Sequence, residues 1–159
     1  MLPDAYARGL AEISLDGLAE MGVRGIIVDL DNTLVAYRAA SVEPAIANWV
    51  RSALARGFRV VLVSNNWSER VATFGSQIGV PSVPSAMKPL PLAFLRALRA
   101  LGTPRAATVV VGDQLFTDIL GAKILGMRAI LTDPISEHGF ITTRAMRVVE
   151  RTLLRWARR

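Results

Sequence analysis

Two aspartates stand one residue apart where an apolar run ends, in Gly25-Ile26-Ile27-Val28-Asp29-Leu30-Asp31-Asn32-Thr33. Side chains alternate along an extended chain, so Asp29 and Asp31 are expected on one side. Two like charges about 4 Å apart repel by about 4 kcal/mol at an effective dielectric near 20. Crowding of that size calls for a cation or a shared proton, although an isolated pair could equally end a strand as turn-forming residues. A second group tips the balance toward chemistry. Gly112-Asp113-Gln114-Leu115-Phe116-Thr117-Asp118 follows the apolar run 106–111, so four of the seven aspartates fall just beyond two strands.

Two further groups could bind phosphate. Ser64-Asn65-Asn66 follows the apolar run 58–63 and offers a hydroxyl and backbone donors near the start of a helix, where phosphate binds readily; the same residue types are also common helix caps. Lys88-Pro89 precedes a helix expected from Pro91, where a cation opposes the helix dipole. A phosphate or a group of carboxylates would give that lysine a reason to be there; a solvated loop lysine is the plainer alternative. It is one of only two lysines, Lys88 and Lys123, among 19 basic residues.

The elements that must position these groups follow from the apolar pattern. Runs at 25–30, 58–63, 106–111 and 127–131 are apolar throughout rather than alternating, as in parallel strands covered on both faces. Helical patterns lie between them at 44–56, 68–78, 91–101 and 115–125, with Pro44 at a helix start and Gly57 and Gly102 at helix stops. Alternation of this kind predicts an α/β fold with a doubly wound parallel sheet, whose ligand crevice lies beyond the carboxyl ends of the strands. All the polar groups above fall there. A short strand at 80–83, flanked by Pro81 and Pro84, is expected only at a sheet edge.

Size and composition set further bounds. The 159 residues fit a single domain, 1–159, with helical extensions at 1–22 and 141–159 outside the alternating core. A hydrophobic content of 52% argues against disorder. No apolar run approaches the ~20 residues of a membrane span, and no signal-peptide pattern opens the chain, which predicts a cytoplasmic protein. With no cysteine, disulfides, thiolate metal sites and cysteine nucleophiles are excluded, and the one histidine, His138, has no partner histidine. The net charge of +6 favours anionic partners without choosing among nucleic acid, acidic lipid and phosphorylated metabolites.

In order, Asp29-x-Asp31-x-Thr33, Ser64, Lys88-Pro89 and Gly112-Asp113-x4-Asp118 resemble the four-motif signature of the haloacid dehalogenase (HAD) superfamily of phosphotransferases. The wider stretches Asp29-Leu30-Asp31-Asn32-Thr33-Leu34, Val63-Ser64-Asn65-Asn66, Lys88-Pro89-Leu90 and Val111-Gly112-Asp113-Gln114-Leu115-Phe116-Thr117-Asp118-Ile119 are similar to the YqeG branch of subfamily IIIA, related to mitochondrial phosphatidylglycerophosphate phosphatase. The resemblance runs over nearly the whole chain. It implies a HAD-like Rossmannoid fold in which Asp29 is the nucleophile that becomes an aspartyl phosphate and Asp31 is the general acid and base. It further implies Mg²⁺ held by the Asp29 carboxylate, the Asp31 carbonyl and Asp113. Ser64 and Asn65, with nearby backbone N–H groups, would hold the phosphate, and Lys88 would neutralise charge on Asp29 and the transferring group. Asp118 would anchor Lys88 or a metal-bound water.

Spacing adds that no cap domain fits between Asp31 and Ser64 or between Ser64 and Lys88. Capless members of the superfamily admit bulky substrates. The resulting expectation is a phosphomonoester hydrolase acting best on a phosphatidylglycerophosphate-like lipid, with another phosphomonoester (a small metabolite, a protein or a nucleic-acid end) as the alternative. A non-catalytic RNA-binding protein on the same fold is the rival of a different class, and no RNA-recognition motif or aromatic platform supports it. Arg144, Arg147, Arg151, Arg155 and Arg158 recur at helical spacing opposite Met146, Val149, Leu153 and Trp156, so a basic amphipathic helix is expected at the end of the chain. It suits either peripheral contact with the anionic inner face of a membrane or ordinary packing with a solvated arginine face.

Overall fold

The structure, a computed structural model, describes residues 2–136. Its centre is a six-stranded, wholly parallel sheet in the order β1-β6-β5-β2-β3-β4. The strands are β1 (Ala5–Ala7), β2 (Gly25–Asp29), β3 (Arg59–Val63), β4 (Ser82–Val83), β5 (Thr108–Gly112) and β6 (Arg128–Thr132). The helices are α1 (Leu15–Glu20), α2 (Pro44–Ala55), α3 (Ser68–Ile78), α4 (Pro91–Leu101) and α5 (Leu120–Ile124). Strand alternation sorts the core into two clusters. Ile26 and Val28 of β2 join Trp49 and Val50 of α2 and Val71 and Phe74 of α3 on one face. Ile27 joins Phe94, Ala97 and Leu98 of α4 and Ile119 on the other.

Chain connection places the switch point at β2. From it the chain winds outward through β3 and β4, then crosses back to β5 on the other side. Helices cover both faces, so the free carboxyl ends of β2, β3 and β5 form one crevice, as this architecture predicts. Between β2 and β3 stands only α2, and between β3 and Lys88 only α3 and β4; no cap domain is inserted. The 80–83 segment contributes the two-residue β4 at the sheet edge, as its flanking prolines require.

Two elements depart from the sequence reading. The 1–22 segment is not a purely helical extension outside the core. Residues 5–7 form β1, which adds a parallel strand beside β6 (Ala5 opposite Ile130). Asp4 holds the register: its carboxylate accepts the Ala129 N–H at 2.7 Å, and its own N–H donates to the Ala129 carbonyl at 2.8 Å. The rest of the segment docks on the α2 face, where the indole of Trp49 donates to the Ile13 carbonyl at 2.8 Å. The helix expected at 115–125 instead begins with a π-helical turn, Leu115–Ile119, before α5. Its Ile119 N–H reaches the Gln114 carbonyl at 3.3 Å. The expected arginine-faced helix of 141–159 lies outside the described residues.

Candidate active site

Asp29 ends β2 in the middle of the sheet and is buried. The chain then turns at Asn32, whose φ of 66° lies in the left-handed region that asparagine tolerates. That turn carries Asp31 out of the strand. The Asn32 N–H donates to the Val35 carbonyl at 2.7 Å, and the Asn32 side-chain oxygen accepts the Ser136 hydroxyl at 2.6 Å, so the turn is tied to the exit of β6.

The buried cation is Lys88. Its ammonium donates to Asp29 Oδ1 at 2.5 Å and to Asp118 Oδ1 at 2.5 Å, with 3% of the side chain exposed. Asp118 is held in turn by the Gln114 N–H, which donates to Oδ2 at 3.2 Å. The π turn and Gly112 together make this geometry: the wide turn brings Asp118 back over the end of β5, and a Cβ at Gly112 would collide with its carboxylate. Of the two roles the resemblance implies for Asp118, the geometry shows contact with Lys88.

Ser64 and Asn65 occupy the end of β3. The Ser64 oxygen accepts the Asn66 N–H at 3.0 Å, which leaves its own hydroxyl hydrogen to give. The Asn65 side chain is turned to Lys88, accepting the Lys88 N–H at 2.7 Å and donating to the Lys88 carbonyl at 3.4 Å. Asn65 thus clamps the lysine loop, and its backbone rather than its side-chain amide is the part left for a phosphate. The Lys88-Pro89 peptide is cis.

Asp31 is held by residues that sequence reasoning does not single out. Arg70 of α3 donates to Asp31 Oδ1 at 3.1 Å and to the Ala39 carbonyl at 3.2 Å, its guanidinium lying 5.0 Å from the Phe74 ring centroid. The Asn66 amide donates to Asp31 Oδ2 at 3.1 Å. No local signal marks Arg70, one arginine among many. Only its place one helical turn after the Ser64 loop could have suggested it.

Electrostatics identify what the site can hold. Ligand oxygens of Asp29, Asp113 and Asp118 lie within 4.8 Å of one another, and all three residues are buried. Burial pushes the Asp29 carboxyl up to about 7, against the opposing pull of Lys88. Burial would by itself lower Lys88, but Asp118 and Asp29 together raise it above its ordinary value, so it stays charged. Asp29 Oδ2 is buried with no donor among the described residues. Three carboxylates facing one ammonium, with an oxygen still unsatisfied, fit a hard divalent cation. The site joins a buried carboxylate with one oxygen unsatisfied, a second carboxylate held beside it by Arg70 and Asn66, a buried ammonium and an acidic cluster able to hold a metal.

Comparison with known proteins agrees. A family model described as "HAD-hyrolase-like" matches residues 85–134. The "Probable phosphatase YqeG" of Bacillus subtilis (strain 168) is 41% identical over 154 residues, covering 96% of this chain and 89% of that one. "Phosphatidylglycerophosphate phosphatase 1, chloroplastic" of Chlamydomonas reinhardtii is 29% identical over 98% of this chain, which spans 62% of that protein. Among solved structures, NagD from E. coli K-12 shares the fold with a TM-score of 0.60 at 16% identity, over 72% of this chain and 90% of NagD. The match to the Bacillus protein extends over nearly the full length of both chains, and the chain belongs to the HAD superfamily of hydrolases as a phosphatase of the YqeG family.

Proposed function

We propose that the protein is a Mg²⁺-dependent phosphomonoester hydrolase that works through an aspartyl phosphate on Asp29 and takes a phosphatidylglycerophosphate-like lipid as its substrate. The observation that carries the reading is the state of Asp29: buried, held on one oxygen by Lys88, and with its other oxygen unsatisfied beside Asp113. The named activity of the algal relative supports the choice of lipid, as does the lack of an inserted cap domain among the described residues.

In the first displacement an oxygen of Asp29 attacks phosphorus and the ester oxygen departs, taking a proton from Asp31. In the second, Asp31 removes a proton from water, whose oxygen attacks the phosphorus, and inorganic phosphate leaves as the Asp29 carboxylate is restored. Ser64 gives its hydroxyl hydrogen to a phosphate oxygen, because its own oxygen already accepts from Asn66. Lys88, held by Asp118 and clamped through its backbone by Asn65, favours the ionised form of Asp29 against the effect of its burial and offsets charge on the transferring group. Mg²⁺ held by Asp29, the Asp31 carbonyl and Asp113 would supply charge stabilisation for the phosphoryl oxygens.

The test is turnover of a panel of phosphomonoesters, including detergent-solubilised phosphatidylglycerophosphate, with Mg²⁺ or with a chelator. The lipid should give the highest kcat/KM, and chelation should abolish it. Full activity after exhaustive chelation overturns the metal assignment; preference for a small metabolite overturns the lipid. The reading places the enzyme in the cytoplasm, working at the inner face of the membrane.

A further inference from the structure

Helix α4 has two unlike sides. Ala93, Phe94, Ala97, Leu98 and Leu101 are buried against the sheet. Leu92, Leu95, Arg96 and Arg99, spaced to share a face, stand in solvent. The chain enters this helix from the loop that carries Lys88, where Leu90 donates its N–H to the Met87 carbonyl at 3.0 Å. Met87, Leu90, Leu92 and Leu95 are 63%, 52%, 52% and 39% exposed. Trp67, 74% exposed, flanks them, because the Ser85 N–H donates to the Asn66 carbonyl at 2.8 Å and ties the two loops together. Single exposed apolar residues are ordinary; four large ones in the nine residues 87–95, running from the Lys88 loop along the outer face of α4, mark a contact surface.

Charge selects what that surface meets. On α4 and the loop after it the exposed charges are Arg96, Arg99 and Arg105, with no Asp or Glu between residues 70 and 112; Lys88 and Arg70 are spent on Asp29, Asp118 and Asp31, and Glu69 stands near Trp67. Arg96 and Arg99 lie about 6 and 10 Å along the helix from Leu92 at 1.5 Å per residue. Basic residues beside the leucines can stay among the headgroups while the apolar side chains enter the bilayer interface. A second copy of this chain would bring two such basic faces together. We infer that Met87, Leu90, Leu92 and Leu95, with Trp67 beside them, are laid into the surface of an anionic bilayer, Arg96 and Arg99 meeting lipid phosphates. The inference rests on the lipid-phosphomonoester reading of the site and adds the orientation in which the crevice meets its substrate: the Lys88 loop is at once catalytic and the edge of the docked face.

Full-length protein is sedimented with vesicles of phosphatidylcholine, with and without phosphatidylglycerol. Wild type should bind only the anionic vesicles, and salt should release it. Arg96→Gln with Arg99→Gln should weaken that binding by about 30-fold, taking about 1 kcal/mol for each basic residue near the surface. Leu92→Ser with Leu95→Ser should also release the protein, with turnover of a small soluble phosphomonoester unchanged in both variants. Equal vesicle binding by wild type and both variants overturns the inference and assigns any contact to another surface. Absence of wild-type binding at low salt overturns it too, as does a fall in thermal stability of the leucine variant, which would show that face covered by residues 137–159 or by a second molecule. Hydrolysis of detergent-solubilised phosphatidylglycerophosphate separates the two readings: activity there with no vesicle binding removes the docking face alone, and vesicle binding without that activity removes the lipid substrate alone.

Discussion

Replacing Lys88 by Met keeps the aliphatic stem and removes one buried charge. The ammonium touches Asp29 and Asp118, whose side chains are 8% and 1% exposed, so water cannot take its place. Breaking a buried ion pair by deleting one partner costs about 3–5 kcal/mol, mostly because the remaining charge is left unpaired. Asp29 already sits near 7 with Lys88 in place, so in the variant it takes up a proton at neutral pH and relieves part of that cost. The lower end of the range, about 3 kcal/mol, corresponds to a fall in Tm of about 6–12 °C for a domain of this size. Thermal unfolding at pH 7 in chelator is the assay. Adding Mg²⁺ should narrow the gap, since a divalent cation among Asp29, Asp113 and Asp118 supplies positive charge where the lysine did. Introduced into an Asp118→Asn background, the same change should cost less, because one of the two stranded carboxylates is gone. A fall under about 2 °C would refute the reasoning, as it corresponds to less than about 1 kcal/mol.

Asp29→Asn should abolish turnover and leave the fold intact, because the amide is nearly isosteric but a poor nucleophile; activity within about tenfold of wild type, measured on protein shown free of deamidation, would remove Asp29 from its role. Arg70→Met should free Asp31 from one of its two holders and cost about 10–100-fold on alkyl phosphomonoesters, whose leaving oxygen needs the proton, but under about threefold on p-nitrophenyl phosphate. Equal losses on both would make Arg70 structural. Because the folded value of Asp29 is raised above its ordinary 3.8 to about 7, its contribution to stability is full below pH 4 and lost as pH rises through 7. Metal competes with that proton, so the Tm gained from Mg²⁺ should grow between pH 5 and pH 8; an equal gain at both would show that Asp29 does not exchange a proton for the ion.

The central strands were readable because parallel strands covered on both faces are apolar throughout, and Ile26-Ile27-Val28 and Val109-Val110-Val111 have no other use. Polar groups at their ends were readable for the converse reason: nothing apolar competes for a crevice. What escaped depends on partners far along the chain. Ala5-Tyr6-Ala7 is too short to show a period, and it is a strand only because Asp4 meets Ala129, 125 positions on. The π turn at 115–119 brings Asp118 to Lys88, which a regular helical pattern cannot foretell. Asn65 was legible as a polar residue at a strand end, but its bond to the backbone of Lys88 appears only once two loops are folded side by side.

Of the six described strands, the earliest in the chain is the last able to pair. Among the described residues β1 pairs with β6 alone, so residues 5–7 must wait until 128–132 have been made before they can join the sheet. Until then β5, and then β6, is an uncovered edge of the kind that recruits foreign strands. A nascent chain stalled between Asp118 and β6 would already hold Asp29, Ser64, Lys88, Asp113 and Asp118, and with them both carboxylates that bind its buried lysine, while lacking the strand that closes its flank. Completion of the chemistry and completion of the sheet are therefore separate events in synthesis, and the interval between them is when this protein is most exposed to aggregation and to proteases.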